Sequence, residues 1–285
     1  QKLMARALAR VAHKPEAEIA HRLMGAWHPD ETSWEELIEA EDLSADLSRP
    51  FPFFLAYGVE GEPSELGSPE SWSAEWKWDG IRGQVILREG SHYVWSRGEE
   101  LITDRFPEFT SLSEALPKGT VLDGEILAWQ DEVPLPFNVL QTRIGRKTVS
   151  KAVMSQAPVI LYAYDLLEWQ GKDIRHRSFE ERRKLLENLC ATKSKALPLR
   201  LSERLPFDTW GALGELRAVA RNHHAEGLMI KNCQSPYGVG RKKGAWWKWK
   251  LDPLTIDAVM IYAQAGHGRR ANLYTDFTFA VWQGH

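Results

Sequence analysis

The texture of the chain changes at Pro50, and that change restricts the fold to a mixed one. Ahead of it, apolar Leu3, Met4, Ala7, Leu8 and Val11 recur at helical spacing. Pro15 suits the first turn of a second short helix that Gly25 could end, and Ser33-Trp34-Glu35-Glu36 has the form of a capping box opening another. Behind Pro50, Phe51-Pro52-Phe53-Phe54-Leu55-Ala56-Tyr57 runs into a Gly, Pro, Ser and Glu stretch that reads as a connector to about Ser73, and short strands then dominate. Residues 84–87 and 92–96 flank Glu89-Gly90-Ser91 as a hairpin, 120–129 hold another strand, and 159–167 a buried one. Ser178-Phe179-Glu180-Glu181 is a second capping box, opening a helix to about 189, and Asp208 is placed to cap a helix that ends near His223-His224. Residues 227–231 and 246–250 read as closing strands. Past Pro253, strands at 256–262, 271–274 and 277–282 open a small β-domain that stops before it could close. The class is therefore α+β, with divisions at about 1–48, 49–251 and 252–285.

Bulk properties narrow the function classes. The chain has 285 residues, room for two domains or for one plus fragments. Its 43% hydrophobic and 26% charged content is that of a soluble globular protein, and no apolar run is long enough to span a bilayer, so no membrane partner is expected. Cys190 and Cys233 are too few for a disulfide framework or a zinc site, which predicts a reducing, cytoplasmic setting. The chain opens at Gln1 with no initiator Met, so the expectation is that its own N-terminus lies further upstream. A net charge of −3 excludes a uniformly basic coat, yet basic residues cluster at 143–147, 182–184 and 241–243, at Lys248 with Lys250, and at Arg269 with Arg270. Local potential, not total charge, governs contacts with phosphate. The thirteen tryptophans read mostly as packing residues.

One run carries chemistry: Glu75-Trp76-Lys77-Trp78-Asp79-Gly80-Ile81-Arg82. A lysine followed at fixed spacing by Asp-Gly and Arg can attack a nucleotide α-phosphate and become a phosphoramidate. The nucleophile must be unprotonated. From a reference pKa near 10.4, about one lysine in a few thousand is neutral at physiological pH, a handicap of roughly 4–5 kcal/mol. Nearby cations such as Arg82, Lys248, Lys250 and a bound Mg²⁺ would depress that pKa and stabilise charge developing on the phosphate.

Five segments follow in order. Ser96-Arg97-Gly98 closes the hairpin, Leu122-Asp123-Gly124-Glu125 lies in a strand, and Tyr162-Ala163-Tyr164-Asp165-Leu166-Leu167 sits in the buried strand. Glu226-Gly227-Leu228-Met229-Ile230-Lys231 and Lys248-Trp249-Lys250 come last. Each has a plain reading by itself: Asp123-Gly124 a turn, Tyr164 a core residue, Glu226 a helix exit, Lys248 and Lys250 a solvated edge. Those plain readings set no order among the segments.

The order and spacing resemble the covalent nucleotidyltransferase superfamily, and most closely the ATP-dependent DNA ligases of bacterial type, over nearly the whole chain. The resemblance implies the end of a helical DNA-binding domain over 1–48, an adenylation (nucleotidyltransferase) domain of antiparallel sheets with flanking helices over 49–251, and a truncated OB-fold over 252–285. It implies ATP, AMP carried covalently on Lys77, and Mg²⁺. Glu75 falls where the family contacts the adenine edge, Glu125 where it holds the ribose, and Tyr164 where it stacks on adenine. Arg82 falls where the family contacts the nucleotide and the nick phosphate. Lys231, Lys248 and Lys250 would contact phosphate, Glu226 and Asp123 would place a metal, and Asp79 and Asp123 would support nick sealing. Arg97 corresponds to a position that faces DNA phosphate. Leu140-Gln141-Thr142-Arg143-Ile144-Gly145-Arg146 resembles a stretch of bacterial relatives in which Arg143 and Arg146 would grip the DNA backbone.

The reaction so implied is attack of Lys77 on ATP, transfer of AMP to the 5′-phosphate of a nick in duplex DNA, and closure by the 3′-hydroxyl. A clamp around DNA is most naturally a monomer. Ligases also carry a basic motif late in the OB-fold that orients the β,γ-phosphates, and since residue 285 precedes it, slow or absent self-adenylation is expected of this chain by itself. Alternatives stay open at this point: an RNA ligase or capping guanylyltransferase sharing the Lys-x-Asp-Gly core, and a non-catalytic nick-binding clamp.

Overall fold

The computed structural model describes residues 2–14, 19, 22–23, 27–39, 47–146, 148–253 and 255–283. The chain divides into two compact units, Gln1–Leu251 and Asp252–His285.

In the first unit, helix α1 (Lys2–Val11) follows the expected apolar spacing. Ala5 and Ala9 pack with Ile19 and Ile38 in a small separate core. The expected Pro15 start and Gly25 end of a second helix lie outside the described residues. The capping box at Ser33 forms: the Glu36 amide donates to Ser33 Oγ and the Ser33 amide to Glu36 Oε2. The turn it opens, Glu35–Glu39, is a π-helix.

Beyond Pro50 the strands take over. Short β1 (Phe54–Leu55) and β2 (Tyr57–Gly58) precede β3 (Trp72–Trp78), β4 (Ile81–Arg88) and β5 (Ser91–Ser96). Helix α2 (Thr110–Ala115) leads to β6 (Thr120–Gln130) and β7 (Val133–Pro134). Helices α3 (Phe137–Ile144) and α4 (Lys151–Gln156) lead to β8 (Val159–Trp169) and β9 (Lys172–Asp173). Helix α5 (Phe179–Ala191) starts on the complete Ser178–Glu181 capping box. After β10 (Leu199–Leu201) and β11 (Arg204–Leu205), helix α6 (Trp210–Ala218) is capped by Thr209, whose side chain accepts from the Ala212 amide. Asp208, the cap expected from sequence, stands one residue too early. Strands β12 (Ala225–Asn232), β13 (Gly240–Arg241) and β14 (Trp246–Lys250) complete the unit.

Two sheets organise it. One has the order β10-β8-β6-β4-β5, with β7 and β9 at its margins; the other has the order β11-β3-β12-β14-β2. Pairing is antiparallel except at β10 with β8 and β14 with β2. The main core lies where the first sheet meets α2, α3 and α5, through Leu112, Leu140 and Leu186 among others. Period-two alternation sorts the second sheet. Trp72, Ala74, Trp76 and Trp78 of β3 join Leu228, Ile230 and Trp247 in an apolar cluster that also takes Leu213 of α6. The alternate positions, Glu75 and Lys77, Lys231, Trp246, Lys248 and Lys250, are left for the other face, and all of them line one cleft.

The second unit holds an antiparallel pair, β15 (Val259–Ala265) with β16 (Tyr274–Ala280), joined through a 3₁₀ turn at Gly268–Arg270. Of the strand expected at 271–274 only Tyr274 is extended, at the start of β16; residues 268–273 close on themselves through the Ala271 amide to Gly268 O and the Leu273 amide to Arg270 O.

Candidate nucleotide-transfer site

The cleft has a volume of about 430 Å³ and draws on both sheets of the first unit. Lys77 is the last residue but one of β3, and Asp79-Gly80 turns the chain into β4, which brings Arg82 into the same cleft. The turn needs glycine: a Cβ at Gly80 would lie 2.5 Å from the Ile126 carbonyl oxygen. Gly227 serves a similar close approach between β12 and β14, with φ at +138° and a built Cβ only 2.3 Å from Trp249 O. Around Lys77 stand Glu75, Asp79, Arg82, Arg97, Glu125, Tyr164, Glu226, Lys231, Arg241, Trp246, Lys248 and Lys250. Residues spread over 176 positions of sequence (75 to 250) thus share one cavity.

At its mouth, Lys77 Nζ lies 2.5 Å from Glu226 Oε2, and Lys250 Nζ lies 2.9 Å from the same oxygen. Burial would push the Glu226 carboxyl up, but the hydrogen bonds from Lys77 and Lys250 outweigh it and hold it below the usual carboxylate range. Asp79, next to them, is pushed up by burial and by the charge of Glu226. Lys248 is pulled down by burial and then by its cationic neighbours Arg241, Lys250, Lys77 and Arg97. The crowd of cations expected from sequence is therefore assembled.

Deeper in, Arg82 is clamped. Its Nε and NH2 donate to the two oxygens of Asp123 at 3.1 and 2.7 Å, and NH1 donates to Phe54 O at 2.7 Å. Tyr237 donates its hydroxyl to Asp123 Oδ2 at 2.6 Å. Burial would lower the Arg82 pKa, but Asp123 more than offsets it and raises it well above the ordinary value. Glu125, two residues beyond Asp123 on β6, still touches solvent through the cleft, yet burial pushes its carboxyl up to about 8 against the pull of Lys77 and Arg82. Burial also raises the Tyr164 phenol well above its usual value. Lys231 Nζ sits 4.4 Å from the Tyr164 ring centre and 4.7 Å from that of Trp246, and is lowered chiefly by burial.

Two expectations need correction. Asp123 does not face the cleft as a metal ligand: it lies in the strand expected from sequence, is fully buried, and both its oxygens are occupied by Arg82 and Tyr237. Arg143 does not face outward to grip DNA. Its guanidinium is fully buried, forks onto Glu108 at 2.6 and 2.5 Å, and donates to the Arg105 and Ala157 carbonyls. It ties α3 to the loop before α2. Arg146, on the same stretch, is exposed, and its Nε donates to Thr142 O. Arg97 is exposed on the rim of the cleft. His223 stacks on Trp76 at 4.5 Å.

Sequence reasoning missed Tyr237, Arg241 and Arg183. Tyr237 sits in a Ser-Pro-Tyr-Gly loop with no motif character, and Arg241 passed as one member of a basic run. Arg183 passed as one member of the basic run 182–184; its pairing with Glu187 is local, but its partners on β3 and next to β10 leave no signal in the sequence around it.

Among the described residues no group of three or more His, Cys, Asp or Glu side chains is gathered as a metal site. Glu226 and Asp79 at the mouth are two carboxylates close enough to influence one another. That donor set suits a Mg²⁺ whose remaining ligands are phosphate oxygens and water.

This cleft is that of a nucleotidyltransferase domain, α+β with antiparallel sheets, and comparison with known proteins places it. Residues 60–250 match the family described as ATP dependent DNA ligase domain, and the chain belongs to that family. It is 34% identical over 258 residues to a probable DNA ligase of Koribacter versatilis, covering 84% of this chain and 45% of that protein. To a DNA ligase of Haloarcula marismortui it is 32% identical over 244 residues, covering 84% and 43%. Among solved structures, a mycobacterial DNA ligase D complexed with ATP and MES aligns with a TM-score of 0.55 at 31% identity, over 70% of this chain and 60% of that one. The chain spans about half the length of the curated relatives it matches.

Proposed function

We propose that this chain carries the nucleotide-transfer core of an ATP-dependent DNA ligase that seals nicks in duplex DNA. The observation that carries the reading is Lys77 in the cleft, its Nζ held by Glu226 and Lys250 nearby, with Tyr164, Glu125 and a crowd of cations around it. In the resting arrangement Lys77 Nζ donates to Glu226. Attack requires that contact to loosen and one proton to leave Nζ. The Nζ lone pair then forms a bond to the α-phosphorus of ATP, and the bond from that phosphorus to the pyrophosphate oxygen breaks. In-line placement of these atoms is most of the catalytic task.

The adenine would rest on Tyr164 with its edge toward Glu75, and Glu125 would take the ribose hydroxyls. Lys248 and Lys250 would meet phosphate oxygens, with Arg82 beside the nucleotide, oriented by Asp123 and Tyr237, whereas Lys231, deep beside Tyr164, stays on Glu75. Glu226, with Asp79, would hold Mg²⁺, which supplies charge neutralisation on the phosphates. AMP then passes to the 5′-phosphate of a nick, and the adjacent 3′-hydroxyl displaces it. Exposed Arg97, Arg146 and Arg241 would grip DNA phosphate with little sequence readout.

In this reading residues 1–48 end a helical DNA-binding domain, 49–251 are the adenylation domain and 252–285 begin an OB-fold. The protein works as a monomer in the cytoplasm, without a membrane partner. The test is intact mass before and after ATP with Mg²⁺, with peptide mapping, on this chain and on one extended to the relatives' length. The expected result is an AMP adduct on Lys77 that Lys77→Ala abolishes while the variant's melting temperature stays close to the parent's. Labelling of the Ala variant, or none of the extended parent, overturns the reading.

A further inference from the structure

Below Tyr164 lies a buried ion cluster of three side chains from three elements. Glu75 (β3) Oε1 accepts from Lys231 (β12) Nζ at 3.0 Å and lies 3.6 Å from Arg183 (α5) NH1. All three are about 1% exposed. Both cations address the same oxygen, and none of the described residues donates to Oε2.

Arg183 cannot swing away. Its Nε donates to Glu187 Oε1 at 2.8 Å and its NH2 to the Ser202 carbonyl, which leaves NH1 without a hydrogen bond and directed at Glu75. Ser202 is fixed in turn, because its hydroxyl accepts from Trp78 Nε1 at 3.2 Å. Lys231 is held among the Tyr164, Trp246 and Phe179 rings at 4.4, 4.7 and 5.0 Å. The carboxylate is thus anchored through one oxygen by two immobile cations, and its second oxygen is an acceptor of fixed direction in the wall of the cleft.

With the base placed as in the reading above, on Tyr164 with its edge toward Glu75, its six position would face that oxygen. A 6-amino group donates to it, whereas a 6-oxo group opposes acceptor to acceptor and a 6-hydrogen offers nothing. We infer that Arg183 is a positioning residue for 6-aminopurine selection, holding Glu75 so that one oxygen stays open to the base. With Arg183 gone, the Glu75 carboxylate loses one of its two anchors and is free to turn both oxygens toward Lys231, which closes the acceptor. The inference rests on the nucleotide reading above and adds to it the residue that sets base choice.

The experiment is equilibrium binding of ATP, purine riboside triphosphate (6-hydrogen) and GTP to the parent chain, Arg183→Met and Arg183→Lys, with a melting curve for each. In the parent, ATP should bind roughly ten- to a hundredfold more tightly than the 6-hydrogen analogue, the range expected for one hydrogen bond to a carboxylate. In the folded Met variant that ratio should fall to within about threefold of unity, and in the Lys variant it should lie between. A purely structural role would weaken all three nucleotides alike and leave the ratio unchanged, which overturns the inference. If the Met variant does not fold, the Lys variant carries the test: an unchanged ratio there overturns it. A parent that binds no nucleotide refutes the site reading, whereas a parent that binds ATP and the 6-hydrogen analogue equally refutes only the inference.

Discussion

Two ion-paired groups position the side chains of the cleft, and they are built on opposite principles. Arg82, Asp123 and Tyr237 form a closed set: the carboxylate is fully buried, and every oxygen of it is occupied. Lys77, Glu226 and Lys250 form an open one, with side chains 22%, 32% and 50% exposed and one oxygen of Glu226 shared by both ammonium groups. The closed set can only hold a geometry, because breaking it strands a charge away from water. The open set can exchange partners, since water and an incoming phosphate can replace what is lost. In the proposed reaction the lysine that sheds a proton and forms a bond belongs to the second kind, and the arginine beside the nucleotide to the first.

Asp123→Ala should break this contrast most visibly. Leaving Arg82 without its carboxylate is expected to cost about 3–5 kcal/mol in denaturant unfolding, whereas Glu226→Ala should cost about 1 kcal/mol or less. Equal losses from the two variants would mean that the groups do not differ in kind.

Glu125→Gln probes the wall between them through pH. The folded carboxyl titrates near 8 against 4.5 for an ordinary one, so its neutral form is favoured by folding. Its contribution is fully present below about 4.5 and is lost as pH rises through about 8. In the nucleotide-free chain the Gln variant should gain stability over the parent across that window, on the order of 2 kcal/mol after allowance for the open side of the cleft. A difference that stays flat between those limits would remove Glu125 from the buried set.

Glu226→Gln should give the smallest effect and the opposite slope. Its folded pKa is lowered by Lys77 and Lys250, so its contribution is present above about 4.5 and disappears as pH falls through the folded value. The stability gap between parent and variant, below about 1 kcal/mol at neutral pH, should therefore close in acid. A gap that persists there would mean that the carboxylate acts through something other than the two lysines.

Much of this was legible in the residues. Both capping boxes form where Ser33 and Ser178 place them, because a cap is a contact among four consecutive residues. Strand alternation put Lys248 and Lys250 on one face and Trp247 and Trp249 on the other for the same reason of local geometry. Arg143 shows where such reasoning ends. An arginine on a short helix looks alike whether it faces solvent or forks onto a carboxylate, and Glu108 lies 35 positions away.

By itself, then, the sequence determined the α+β class, the positions of most strands and caps, and a set of motifs whose order implied one chemistry. Tertiary structure alone decided which charges meet. It turned Asp123 toward Arg82 and Tyr237, drew Arg143 into the core, and set Arg183 behind Glu75. Periodicity and caps depend on neighbours a few residues apart, but a buried ion pair depends on strand register and helix placement fixed by the whole core.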